Sequence, residues 1–178
     1  KMYDEYTFAH SINTSILAVS LGTYLSMTKP QLAALGMAAT MHDIGKVAIP
    51  KEIINKPGKL TEDEWEYVRR HPIAGAVFLS KIPSITKLAM VVAYEHHQHG
   101  QNAYPVPEAL HRRHPFSQII SLADSYEAIT ASRVYYKSKI PPHEAIRILL
   151  KNKGVTSNPV LLKAFINMVG IFPVGTLL

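Results

Sequence analysis

The spacing of apolar residues is the feature that most constrains the fold of this 178-residue chain. Apolar side chains recur three or four residues apart, as in Ile12, Ile16 and Val19, and no alternation of period two persists anywhere. The first spacing lines up one apolar face of a helix, whereas a half-buried strand needs the second. The sequence therefore predicts an all-α fold, a compact helical bundle.

Proline, glycine and capping residues divide this bundle into helices. Pro30 suits the first position of a helix, and Thr61 and Glu64 form a capping box for a short helix that stops before Pro72. The longest interruption, 98–115, is rich in glycine and proline and is predicted to be a loop. The other predicted helices cover 7–27, 30–42, 72–80, 84–97, 116–131, 142–152 and 158–169.

Charge and cysteine content narrow the classes of function. The chain has 19 Lys and Arg against 13 Asp and Glu, a net charge of +6, without a recognised nucleic-acid-binding motif. We therefore expect attraction for a phosphate-bearing ligand and no nucleic-acid polymer as a partner. Without a membrane-length apolar run or a signal peptide, we expect a cytoplasmic domain that makes no membrane contact. The absence of cysteine excludes disulfides, thiolate metal sites and cysteine nucleophiles.

Seven histidines and aspartates form the candidate metal-ligating set: His10, His42, Asp43, His71, His96, His97 and Asp124. A lone histidine on a helix is most often an ordinary core or surface residue. Asp124, however, lies in the otherwise apolar "FSQIISLADSYEAIT", where an unpaired buried carboxylate would be costly. Metal binding explains the whole set, because polar groups on separate helices can converge in a bundle core. Such ligands favour iron, manganese, zinc, cobalt or nickel.

Six short motifs occur in order along the chain: "HDIGK" at 42–46, "NKPGKLTEDEW" at 55–65, "HP" with a glycine at 71–75, "HH" at 96–97, "YP" at 104–105 and "ADSYEAITASR" at 123–133. Together they resemble the HD-GYP family, a branch of the HD superfamily of metal-dependent phosphohydrolases. The resemblance implies that residues 1–178 form a single HD-type domain. We expect it to be cut from a longer signalling protein, with a linked sensor or receiver domain, and it could form a homodimer.

The resemblance also implies two divalent transition-metal ions, with iron or manganese ahead of zinc, cobalt or nickel. By similarity, the first ion is held by His10, His42, Asp43 and Asp124. Asp43 bridges to the second ion, whose other ligands are His71, His96 and His97. Some family members hold a third ion with a glutamate four residues before the first histidine. That position is Tyr6 here, which favours two ions.

The implied activity is that of a binuclear metal-dependent phosphodiesterase, which opens cyclic di-GMP with a metal-activated hydroxide. Asp43 and Lys46 are the predicted catalytic residues, with Lys46 offsetting charge on the phosphoryl oxygens. The predicted substrate contacts are Lys46, Tyr104, Arg133 and Lys137. Arg133 suits this role because a guanidinium can bind two phosphate oxygens at once.

The segment after the double histidine departs from the family, which typically reads H-H-E-x-x-D-G-x-G-Y-P. Here "HHQHGQNAYP" has Gln98 for the glutamate and Ala103 for a glycine, and Tyr136 stands where the family has a basic residue. Hydrolysis of some phosphoester is therefore better supported than hydrolysis of cyclic di-GMP. Two alternatives remain open. One is a catalytically weak or inactive signalling module that binds a nucleotide or a partner; the other is an HD phosphohydrolase acting on another nucleotide phosphoester.

Overall fold

The computed structural model describes residues 2–100, 102–107, 112–131, 140–151 and 158–170. Within these ranges the chain is helical and has no β-strand, which confirms the predicted all-α fold. The α-helices are α1 (Met2–Tyr24), α2 (Lys29–Met41), α3 (Lys51–Ile54), α4 (Glu62–Arg69), α5 (His71–Ser80), α6 (Lys87–Glu95), α7 (Pro115–Thr130), α8 (Pro142–Lys151) and α9 (Pro159–Val169). A 3₁₀ turn covers Ile44–Ala48. None of the described helices is long and apolar enough to cross a membrane.

Local signals fix the helix ends. The Thr61 hydroxyl accepts a hydrogen bond from the backbone N–H of Glu64 at 3.3 Å, and the Glu64 carboxylate accepts one from the Thr61 N–H at 2.7 Å. The predicted capping box at the start of α4 is therefore confirmed. The first helix differs from its prediction, since it already begins at Met2 and ends at Tyr24. Ser26, which follows, has a φ of 58° that a helix cannot continue.

The core lies where α1 packs against α2 and α7, and where α6 packs against α2 and α5. Its largest fully buried side chains include Leu21, Leu35, Val92, Ile120 and Phe165. Burying a side chain of this size stabilises the fold by roughly 1.5–3 kcal/mol. These contacts hold the C-terminal ends of α2 and α6 close to the middle of α7.

The buried face of α1 is not the apolar stripe that indicates the helix. Ile16 is 60% exposed, whereas Thr14 and Ala18 are fully buried. His10 lies one turn before Thr14 on the same face and is 5% exposed. The packing of α1 therefore carries a histidine inward, toward α7.

The 3₁₀ turn packs against α5 at a close approach of two backbones. Gly45 and Gly75 face each other there and both are buried. Because Asp43 directly precedes the turn and His71 begins α5, this approach brings the aspartate next to the histidine.

Candidate metal centre

Four of the predicted histidines occupy helix positions that face one point in the bundle. His42 is the C-cap residue of α2 and His96 that of α6. His71 begins α5, and His10 lies in α1. All four are at most 5% exposed. The ends of α2, α5 and α6 and the interior of α1 therefore deliver imidazoles to one buried cluster.

Asp43 lies at the centre of this cluster. Its Oδ1 is 3.3 Å from Nε2 of His71 and 3.7 Å from Nε2 of His96. Its Oδ2 is 3.4 Å from Nε2 of His42 and 3.6 Å from Nε2 of His10. Each oxygen thus faces a different pair of imidazoles, the arrangement expected of a carboxylate between two cation positions.

The other two predicted ligands, Asp124 and His97, lie next to these imidazoles, one with each pair. Asp124 on α7 places Oδ1 3.0 Å from Nε2 of His10 and 4.0 Å from Nε2 of His42. His97 joins the group of Asp43, His71 and His96, whose ligand atoms all lie within 4.8 Å of one another. The structure therefore brings all seven predicted metal-ligating residues together.

Hydrogen bonds fix the orientation of three of the imidazoles. Nδ1 of His42, His71 and His96 donates to the carbonyl oxygen of the residue three positions earlier, at 2.6, 2.7 and 2.8 Å respectively. A neutral imidazole that donates from Nδ1 keeps its lone pair on Nε2, the atom that faces Asp43. This is the tautomer that a metal ligand needs.

Buried atoms without partners test whether these residues fit a metal. Nε2 of His71 and His96 are 3.1 Å apart, although both act as acceptors when their Nδ1 atoms donate. In the described part of the chain, Nε2 of His42 and Oδ1 of Asp43 are buried and form no hydrogen bond. An unpaired buried polar group costs roughly 1–3 kcal/mol, which a cation between these atoms would relieve. The His/Asp cluster could therefore hold metal ions.

Burial and neighbouring charges shift the pKa values of the residues in the cluster. Burial disfavours the ionised form of Asp43, but the charge of Lys46 beside it holds the pKa of this carboxyl well below its usual range. Burial also opposes a charge on His10, yet hydrogen bonds with Asp124 and Glu127 raise its pKa to about 9. For His96, burial dominates and lowers the pKa to about 4.

The pKa of His10 predicts that metal binding tightens as pH rises. Below pH 9 the metal-free imidazole carries a proton that a metal must displace, so affinity should rise about tenfold per pH unit between pH 6.5 and 8.0. Competition with a chelator of known affinity, corrected for the protonation of the chelator, measures this slope. A flat profile over that range would contradict the prediction.

Two of the four residues predicted to contact substrate, Lys46 and Tyr104, lie next to the cluster. Nζ of Lys46 donates to Oδ2 of Asp43 at 2.5 Å, and the lysine side chain is 23% exposed. The ring of Tyr104 stacks on His97 with centroids 4.6 Å apart and an interplanar angle of 32°. Arg133 and Lys137 lie outside the described residues, so their predicted contacts stay predictions.

Sequence reasoning missed Glu127. This residue lies one helical turn after Asp124 on α7 and is 5% exposed, and its carboxylate contacts Nδ1 of His10. The signal was available, because the cost of a charge in an apolar helix applies to Glu127 as much as to Asp124.

Comparisons with known proteins agree with this picture. The sequence model of the HD domain family matches residues 2–159. The cyclic di-GMP phosphodiesterase PA4108 of Pseudomonas aeruginosa is 38% identical over 99% of this chain and 42% of its own length. A cyclic di-GMP phosphodiesterase of Thermotoga maritima is 32% identical over 93% of this chain and 45% of its own length. The chain therefore spans less than half the length of either relative.

A solved structure shares the fold. Bd1817, an HDG"Y"P protein from Bdellovibrio bacteriovorus, superimposes with a TM-score of 0.73 at 18% identity. The match covers 92% of this chain and 52% of that protein. At this identity the likeness extends to the helical architecture alone.

Proposed function

The chain belongs to the HD domain family, and on this premise we propose that it hydrolyses a phosphodiester bond of a cyclic dinucleotide, with cyclic di-GMP the first candidate. The observation that carries the proposal is the buried Asp43, each of whose oxygens faces a different pair of imidazoles. The names of the two curated relatives support the choice of substrate.

Two divalent cations, iron or manganese first, would be held by the two groups that share Asp43. The first group is His10, His42, Asp43 and Asp124, and the second is Asp43, His71, His96 and His97. Bound cations lower the pKa of a water between them and offset charge on a phosphoryl group.

The protein's own groups would position the substrate. Lys46 is a partly exposed cation beside Asp43, so it can bind a phosphoryl oxygen that approaches from solvent. Burial raises the pKa of Tyr104 far above its ordinary value, so the phenol stays protonated and can donate a hydrogen bond to the same phosphate.

The test is a metal assay followed by a substrate panel. After anaerobic loading with iron or manganese, we expect about two ions per chain and turnover of cyclic di-GMP. The panel also contains other cyclic dinucleotides and bis(p-nitrophenyl) phosphate. Turnover of the generic ester alone would favour the HD phosphohydrolase that acts on another nucleotide phosphoester. Fewer than one ion per chain would overturn the two-metal enzyme.

A second candidate is a signalling module that binds a nucleotide without turnover. Gln98 favours it, because this side chain is 5% exposed and places a neutral amide where the family has a carboxylate. Calorimetric binding of cyclic di-GMP to the metal-loaded protein without release of a linear product would support this candidate over the enzyme.

A further inference from the structure

Glu127 is a buried carboxylate that lies outside the proposed ligand set. Its Oε2 contacts Nδ1 of His10, and its Oε1 accepts a hydrogen bond from Nδ2 of Asn13 at 3.1 Å. Both partners belong to α1, whereas Glu127 belongs to α7, so the contact joins two helices that pack in the core.

His10 differs from the other three imidazoles in the chemical group that its Nδ1 contacts. Nδ1 of His42, His71 and His96 donates to a neutral carbonyl within 3.3 Å on its own stretch of chain. Nδ1 of His10 instead meets a carboxylate 117 residues away. A hydrogen bond to a charged acceptor is stronger than one to a neutral carbonyl, and a carboxylate behind a histidine makes it a better metal ligand.

Two carboxylates on α7 contact the two ring nitrogens of His10. Asp124 and Glu127 are three residues apart and therefore share a helix face. Oδ1 of Asp124 lies 3.0 Å from Nε2 of the ring, and Glu127 contacts Nδ1 on the opposite side. One helical turn thus supplies a ligand of the first metal group and the support for another.

We propose that Glu127 is a positioning residue, which fixes Nε2 of His10 toward the first metal group and strengthens that group selectively. The second group, with His71 and His96 held by backbone carbonyls, gains nothing from it. The inference rests on the proposed function, because it presupposes that the cluster holds metal.

Glu127→Gln removes the negative charge of this side chain but keeps the contact, since an amide oxygen can still accept a hydrogen bond from Nδ1 of His10. We expect one of two Co²⁺ ions to bind about 10–100-fold more weakly, the usual effect of losing such a support, while the affinity of the other is unchanged. Titration of the whole 178-residue chain with Co²⁺ against a competing chelator resolves the two affinities. Their ratio is a quantity that a general loosening of the fold would not change.

Glu95→Gln is the matched control. Glu95 is also buried, 3% exposed, and its Oε2 accepts a hydrogen bond from the backbone N–H of His114 at 2.8 Å. We expect the ratio of the two Co²⁺ affinities in this variant to equal that of the wild type. An equal shift of the ratio in both variants would overturn the proposal, because it would make the effect one of buried charge alone.

A milder variant covers the case in which Glu127→Gln does not fold. Asn13→Ala removes the second hydrogen bond of Glu127 at an exposed position, and we expect it to weaken the same ion several-fold. Unchanged affinities, or equal weakening of both ions, would overturn the role of Glu127. Failure of the wild type to bind Co²⁺ would instead overturn the proposed metal enzyme, so the two failures are distinguishable.

Discussion

Asp43→Ala is expected to abolish binding of both metal ions and to lower turnover at least about a thousandfold, equivalent to roughly 4 kcal/mol of transition-state stabilisation. The reason is geometric. The two oxygens of Asp43 face different imidazole pairs, at 3.3 and 3.7 Å on one side and 3.4 and 3.6 Å on the other. Removing the carboxylate therefore takes a ligand from both groups at once, whereas loss of any single histidine affects one group. Metal analysis and turnover of cyclic di-GMP measure the effect.

The control for Asp43→Ala is Asp63→Ala, which removes an exposed carboxylate from the first turn of α4. We expect this variant to keep its metal content and its turnover. Asp43→Asn, which keeps the shape of the side chain, separates loss of charge from loss of volume. Retention of activity by Asp43→Ala, with a circular dichroism spectrum like that of the wild type, would mean that the ligand assignment is wrong.

The sequence predicts the helical fold well because the evidence for a helix is local. Apolar spacing and the Thr61–Glu64 capping box involve residues within one or two turns, so they do not depend on tertiary contacts. The HD family membership that the motifs indicate is likewise confirmed by the match over residues 2–159. The four-residue helix α3 was not predicted, because a segment this short has no apolar period to detect.

The features that the sequence does not predict depend on packing between distant segments. The stripe of α1 that contains Ile16 faces outward, and the inward face carries His10 and Thr14 instead. Periodicity identifies a helix, but packing against α2 and α7 determines which face of α1 is buried. Glu127 shows the same limit, since its partner His10 lies 117 residues away and no local pattern reveals the contact.

Gly45→Ala is expected to cost about 3 kcal/mol or more of folding free energy and to displace the centre of the cluster. A Cβ on Gly45 would lie 1.9 Å from the backbone oxygen of His71 and 2.5 Å from the backbone nitrogen of Gly75. Overpacking typically costs about 1–3 kcal/mol, and this case lies at the upper end or beyond because backbone atoms cannot rotate away. The 3₁₀ turn must then move off α5, which separates Asp43 from His71. Urea unfolding and metal content measure the two consequences.

Alanine substitutions at two other glycines serve as controls for this prediction. A Cβ on Gly75 would lie 3.2 Å from the Gly45 nitrogen, so Gly75→Ala should be destabilising to an intermediate degree. A Cβ on Gly36, in α2, would lie 3.1 Å from Cγ2 of Val19, a side-chain atom that can shift. Alanine also favours a helix over glycine by up to about 1 kcal/mol, so Gly36→Ala should stay within about 1 kcal/mol of the wild type. If Gly45→Ala keeps wild-type stability and metal content, the turn does not hold Asp43 against His71, and the bridging position of the carboxylate loses its structural basis.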